Sequence, residues 1–161
     1  MSAVDYWLEI EGVDTESDDA ELPDAIQLDS WQWGEKNRGN WSVTGGGGQG
    51  KVEMSDFRFT MWINKATPKL FLMCATGEHI PSAKLICRKA GGGQQVFLEV
   101  EFRNLNISSF ETIGSDAHSH PRNAISFNFG EIEFNYQEQA DDGTVGATTT
   151  AGYDLKRNQK I

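Results

Sequence analysis

The chain has 161 residues, with 24 acidic side chains against 14 basic ones and a formal charge of −10 at pH 7. That length suits a single domain over residues 1–161 that buries roughly two-thirds of its unfolded surface. The acidic balance withholds the basic footprint that phosphate backbones require, which sets nucleic acid aside as a partner. Asp5, Glu9 and Glu11 stand where a secretory signal would need a basic start, and the longest apolar run, Leu70 to Ala75, is far too short for a bilayer. No membrane insertion and synthesis in the cytoplasm are expected.

In chain order, Tyr6, Leu8 and Ile10 alternate and are followed out of phase by Val13. Asp14, Glu16, Asp18, Asp19, Glu21 and Asp24 then load one segment with acid and no base, which reads as a solvated loop. Ile26 and Leu28 alternate on even positions before Trp31 and Trp33 take over on odd ones, with Gln32 between them projecting from the opposite face. Gly45, Gly46, Gly47, Gly48, Gln49 and Gly50 form a permissive tip, inside an extended loop of residues 43–52, that leads through Lys51 into Val52 and Met54. Phe57, Phe59, Met61 and Ile63 follow in the other phase.

A short helix comes next, with Thr67 as N-cap, Pro68 in the first helical position and Gly77 at the left-handed end. Leu70, Met73 and Cys74 make one apolar stripe, while Phe71 and Leu72 point elsewhere. A helix apolar nearly all round must be covered on more than one side, by loops or by a neighbouring subunit.

Beyond the helix, Val96 to Phe102 give way to Leu105 and Ile107, and Ile125 to Phe129 give way to Ile132, Phe134 and Tyr136. A one-residue slip turns an inward set outward unless the strand bulges or bends there. Repeated slips describe long strands that curl into a small barrel or pass from one packed sheet to another. The expected fold is mainly β, a closed barrel of two packed sheets with one short flanking helix. Residues 137–151 read as a mobile polar stretch, and the basic segment 152–161, with Lys156, Arg157 and Lys160, as a last docked strand.

The chemical motifs are thin. Gly45 to Lys51 fits the opening of a phosphate-binding loop, but Val52 replaces the Ser or Thr that would hold magnesium and a strand follows in place of a helix. Asp116, His118 and His120 form a metal-like cluster without a matching His or Cys pair, so a solvated loop is the expectation. His79 reads as a structural hydrogen-bonding residue. Cys74 and Cys87 sit in apolar segments and read as buried free thiols, which suits a reducing cytosol. No nucleophile has a strand–turn–helix setting, so neither catalysis nor a cofactor is expected. Trp7, Trp31, Trp33, Trp41 and Trp62 are side chains that stack on sugars, which makes a carbohydrate-binding sandwich the rival reading, although core filling is their ordinary use in strands.

Trp31-Gln32-Trp33-Gly34, the Gly45–Lys51 tip, Lys65 to Leu70, Cys74 to Gly77, His79-Ile80-Pro81, Arg88 to Gly92 and Gly152 to Lys156 with Asn158 follow one another in a familiar order. Together they resemble Hcp, the hemolysin-coregulated family that builds the inner tube of the bacterial type VI secretion system. The resemblance spans essentially the whole chain. It implies a β-barrel similar to phage tail-tube proteins, with homohexameric rings stacked head to tail. It further implies secretion without a signal peptide, partners among the spike, sheath and baseplate, and small effectors in the lumen. By residue, it implies a stacking loop at Gly45–Lys51, Gln32 facing the lumen, a subunit-interface helix with Leu70, Phe71, Met73 and Cys74, and further contacts at Gly91 and Lys156.

Overall fold

A computed structural model describes residues 3–37, 51–89, 93–140 and 144–161. Among these, the chain runs β1 (Val4–Ile10), β2 (Ala25–Gln27), β3 (Ser30–Gln32), β4 (Glu35–Asn37), β5 (Val52–Met54), β6 (Phe57–Trp62) and helix α1 (Thr67–Thr76). It continues through β7 (Ile80–Lys89), β8 (Val96–Ile113), β9 (Arg122–Gln139), β10 (Val145–Asp154) and β11 (Gln159–Lys160). The main sheet is ordered β11-β10-β9-β8-β7-β1-β2, with β6 also on β9 and β3 on β6; β4 and β5 form a separate ribbon. The fold is mainly β with one helix, as expected.

The phase switches have two causes. Those between Leu28 and Trp31 and between Met54 and Phe57 are breaks between short strands rather than bends within long ones. The others fall on one line across the sheet. Buried positions change face between Phe102 and Leu105 in β8, between Phe129 and Ile132 in β9, between Ile80 and Ala83 in β7, and between Ile10 and Val13 after β1. Register puts the intervening residues side by side. Ile80 pairs with Leu105 and Ser82 with Arg103, so Pro81 lies beside Asn104. Arg103 pairs with Glu131 and Leu105 with Phe129, so Asn104 lies beside Gly130. Asn104 has φ 59° and Gly12 φ 86°, left-handed values that Asn and Gly tolerate best. A Cβ on Gly130 would stand 3.4 Å from that of Asn104, at the near edge of ordinary van der Waals contact. The register is unbroken through this line, so neighbouring strands crease together instead of bulging singly. The crease turns one continuous sheet into two layers that face each other.

The core fills the space between them. Phe57 is fully buried, with ring centroids of Phe102 at 4.9 Å and Phe127 at 5.1 Å and a stacked Trp31 at 6.0 Å. The expected closed barrel is not formed among the described residues, whose strand ladder stays open. Leu28 N–H donates to the Tyr6 carbonyl and Asp29 N–H to the Thr60 carbonyl, each at 2.9 Å, so the chain crosses from β1 to β6 within two residues. This crossing makes the sheet barrel-like.

Two local expectations are corrected. Ala66, not Thr67, is the helix N-cap, and no side chain caps it. The Thr67 hydroxyl instead accepts the Asn64 N–H at 3.1 Å and donates to Asn123 Oδ1 at 2.9 Å, tying the helix start to β9. Gly77 does close the helix at φ 68°, donating to the Met73 carbonyl. The stretch read as mobile is largely strand: β9 reaches Gln139 and β10 begins at Val145, because a Thr-rich segment fits an exposed pleated edge. The last segment docks as read, with Tyr153 paired to Lys160.

Candidate assembly surfaces and the acidic-loop clamp

Three surfaces stand out. The first is α1. Leu70 and Met73 are buried in the chain's own core, whereas Phe71 and Leu72 are 55% and 50% exposed. Phe71 meets Phe110 of β8 edge-on at 6.0 Å, and Cys74 is half-buried. The outward apolar side of the helix is therefore Phe71 with Leu72. The expected interface set omitted Leu72, because helical spacing alone does not say which apolar side meets the chain's own sheet.

The second surface is the outer face of β3, β6, β9 and the far half of β8. Gln32 is exposed and lies in one row with Arg58, Ser126 and Ser109. The next row is Ser30, Thr60, Ala124 and Glu111. Ser30 and Thr60 share a hydroxyl hydrogen bond of 2.6 Å, and Ser126 shares one of 2.8 Å with Ser108. Small polar side chains thus pave a shallow groove of about 330 Å³. At its border Trp62 is 43% exposed, which corrects the expectation that strand tryptophans fill the core. Its ring carries the Arg122 guanidinium at 5.4 Å and the His118 ring edge-on at 5.9 Å. Trp7 is buried, Trp31 and Trp33 pack half-buried against the core, and Trp41 lies outside the described residues.

The third surface was read only in part from sequence: Asp14, Glu16, Asp18, Glu21 and Asp24 are exposed as expected, but Asp19 is not free. The acidic loop is tied to a buried arginine, Arg88 of β7, which is 2% exposed. Arg88 bonds Asp19 directly, lies 3.6 Å from Asp5 and sits over the Trp7 ring at 5.3 Å. Asp19 Oδ1 also takes the N–H groups of Glu21 at 3.0 Å and Leu22 at 3.2 Å. Hydrogen bonding to Arg88 holds the Asp19 carboxyl below the usual carboxylate range. Glu16 accepts the Lys65 N–H at 2.9 Å, pinning the loop to the turn before α1. Composition suggested solvation because charge counts carry no information about a distant cation.

The remaining site residues are quickly placed. Lys51 and Lys156 are exposed, while Gly45 to Gly50 and Gly91 lie outside the described residues. His79 is bonded through Nε2 to Asn104 Oδ1 at 3.1 Å, a structural role as read. Asp116, His118 and His120 lie on an exposed loop, and no metal-holding group of His, Cys, Asp or Glu occurs among the described residues. Both cysteines are free, and burial pushes the Cys87 thiol up to about 12. No helix among the described residues is long and apolar enough to cross a membrane.

Known proteins share this architecture. The chain is 37% identical to Protein hcp1 of Pseudomonas aeruginosa over 158 residues, covering 97% of this chain and 98% of that one. A solved type six secretion system protein superposes with a TM-score of 0.92 at 28% identity, covering 99% of this chain and 100% of the other. Hcp1 from Salmonella typhimurium gives a TM-score of 0.80 at 32% identity with the same coverage. The sequence model of the family described as "Type VI secretion system effector, Hcp" matches residues 7–136. With that match added to the creased β fold and the single flanking helix, the chain belongs to the Hcp family of type VI secretion proteins.

Proposed function

We propose that this chain is a structural subunit of the type VI secretion tube, forming homohexameric rings that stack head to tail. In this reading the tube passes through the sheath, under the spike and from the baseplate, and carries small effector proteins in its lumen. The observation that carries it is the contrast between two faces: exposed Phe71 and Leu72 on α1, and the small polar paving around Gln32. Exposed apolar side chains mark surfaces that a partner covers, and a smooth polar wall suits passage of varied cargo. Closed rings repeat one heterologous contact, so the helix face of each subunit meets a different face of the next. Light scattering coupled to size exclusion is expected to give the mass of six chains. A monomer across micromolar concentrations, together with tryptophan fluorescence that responds to glycans, would favour a carbohydrate-binding module instead.

The lumen assignment has its own test. Gln32→Arg changes an exposed side chain, so folding stability is expected to move by about 0.5 kcal/mol or less. Rings are expected to assemble normally while co-purification of bound effectors changes; an unaltered effector set removes Gln32 from the cargo surface. The tip Gly45–Lys51 supplies no core side chains in this reading and reaches toward the adjacent ring. Replacing residues 45–50 with an Asn-Gly turn is expected to keep the hexamer and abolish ordered tubes under the electron microscope. Normal tubes from the shortened chain would remove the tip from stacking.

A further inference from the structure

We propose that the groove between β1–β2 and the acidic loop receives an extended basic segment of a partner protein, added to the sheet as a strand beside β2. The groove requires neither a ring nor a stack, so it stands apart from the tube reading.

β2 is the last strand at this end of the sheet. Leu28 N–H donates to the Tyr6 carbonyl, which makes Tyr6 and Leu28 a hydrogen-bonded pair of the β1–β2 ladder. Trp7 opposes Gln27 one step along, and antiparallel alternation makes that pair a non-bonded one. The Gln27 N–H and carbonyl are thereby turned away from β1, and neither has a hydrogen-bond partner among the described residues. The flanking amides are already used, Ala25 N–H by the Leu22 carbonyl at 3.3 Å and Asp29 N–H by the Thr60 carbonyl at 2.9 Å. Gln27 is therefore where this edge can take another strand. It lines a groove of about 730 Å³, and a strand that lays one residue opposite Gln27 satisfies both of its backbone groups.

The lining selects the chemistry of that strand. Asp5, Glu16, Asp18, Asp19 and Asp29 contribute five carboxylates. Only Arg88, bonded to Asp19 and near Asp5, and Arg122, 2.9 Å from Asp29, offset them, which leaves an excess of three negative charges. Asp18 is exposed, with no ion-pair partner among the described residues. Basic side chains answer this charge. The floor of the groove asks for something else. Trp7 lines it, is 7% exposed, and its Nε1–H has no acceptor among the described residues. Arg88, 5.3 Å over the same ring, likewise leaves Nε and Nη1 without one. Buried donors of this kind are normally matched, and carbonyl oxygens match them. A metal ion or a polyamine answers the carboxylates but brings no acceptor to these donors or to Gln27. A basic peptide brings cations and carbonyl oxygens together, and in an extended strand its alternate side chains all face the same wall.

The test titrates the full-length chain into a fluorescent, acetylated and amidated peptide of sequence Lys-Thr-Lys-Val-Lys-Thr and follows its anisotropy. Binding is expected to saturate at one peptide per chain and to weaken as salt rises. Asp18→Lys, an exposed change, is expected to weaken it about tenfold while the circular dichroism spectrum stays the same. Hydrogen exchange at the Gln27 N–H is expected to slow when the peptide binds. The same peptide N-methylated at its central residues cannot donate to the Gln27 carbonyl, and it too is expected to bind about tenfold more weakly. Equal binding of the N-methylated peptide, or its full displacement by spermidine at matched charge, makes the groove a diffuse cation trap and overturns strand addition. Absence of saturable binding to well-formed hexamers overturns the docking site and leaves the ring reading standing. A Gln27 N–H already protected in hexamers before peptide is added gives the groove to a second copy and overturns the assignment to a partner protein. A monomer that binds the peptide in this way upholds the groove and overturns the ring.

Discussion

Met73→Asp is expected to unfold the subunit, whereas Phe71→Asp, two residues earlier on the same helix, is expected to leave it folded and break the ring. Met73 is 3% exposed and belongs to the main core. A carboxylate there finds no cation and gives up its hydration, a cost of about 4 kcal/mol or more. Domain stability is only about 5–15 kcal/mol in total, so a large share of it is consumed. Phe71 is more than half exposed, so its carboxylate stays hydrated and forfeits little beyond the contact with Phe110; about 1 kcal/mol is the expected loss. In a ring, however, the same charge is repeated at every subunit boundary. Urea unfolding followed by circular dichroism measures the first effect and scattering mass the second. A soluble, cooperatively folded Met73→Asp ring would show that α1 does not pack on the core as described, and a hexameric Phe71→Asp would take this helix face out of the interface.

The second large effect is expected at Arg88. Arg88→Ala removes the cation that joins Asp5, Asp19 and Trp7, and breaking a buried pair costs about 3–5 kcal/mol. The lower end applies here because both carboxylates keep some contact with solvent. Hydrogen exchange is expected to rise at Glu21 and Leu22, whose N–H groups donate to Asp19 Oδ1, and at Asp19, whose own N–H donates to Ser17 Oγ. Arg88→Met combined with Asp19→Asn is expected to recover part of the loss, since the bonded carboxylate is neutralised together with the cation and only Asp5, 21% exposed, is left charged. Unchanged exchange in this loop would mean that the clamp does not hold it. The pH dependence follows from the direction of the shift. Asp19 is held below its ordinary value, so its stabilisation is complete above about pH 4 and lost as pH falls through the lowered value. Arg88 is pushed further up by the Asp19 hydrogen bond and stays charged throughout that window. Acidification is thus expected to release the loop, and Asp19→Asn to flatten the stability curve below pH 4.

Much of this protein was legible one residue at a time. Period-2 alternation marked the strands, Gly77 ended the helix, and the slips at Phe102–Leu105 and Phe129–Ile132 located the bend, because these signals depend on local backbone geometry and on which side chains prefer burial. The ordered motifs around Trp31, Cys74 and Arg88 carried the family. The helix start was missed because Thr67 makes its hydrogen bond to Asn123, a residue 56 positions away. Likewise, Arg88 and Asp19 are separated by 69 positions, and nothing in either neighbourhood announces the other. The same limit applied to Phe71 and Trp62, apolar side chains whose spacing predicts burial but whose partners decide it.

What the sequence by itself determined, then, was the mainly β class with one short helix, the existence of a bend and the family, whereas most of β10 lay in a stretch read as mobile. The tertiary structure alone decided that Pro81, Asn104 and Gly130 share a single crease, that the solvated acidic loop is clamped at Asp19 by Arg88, and which side of α1 remains uncovered. The reason is physical: alternation and capping are enforced within a few residues of chain, whereas charge pairing and burial depend on side chains that only folding brings within a few ångströms.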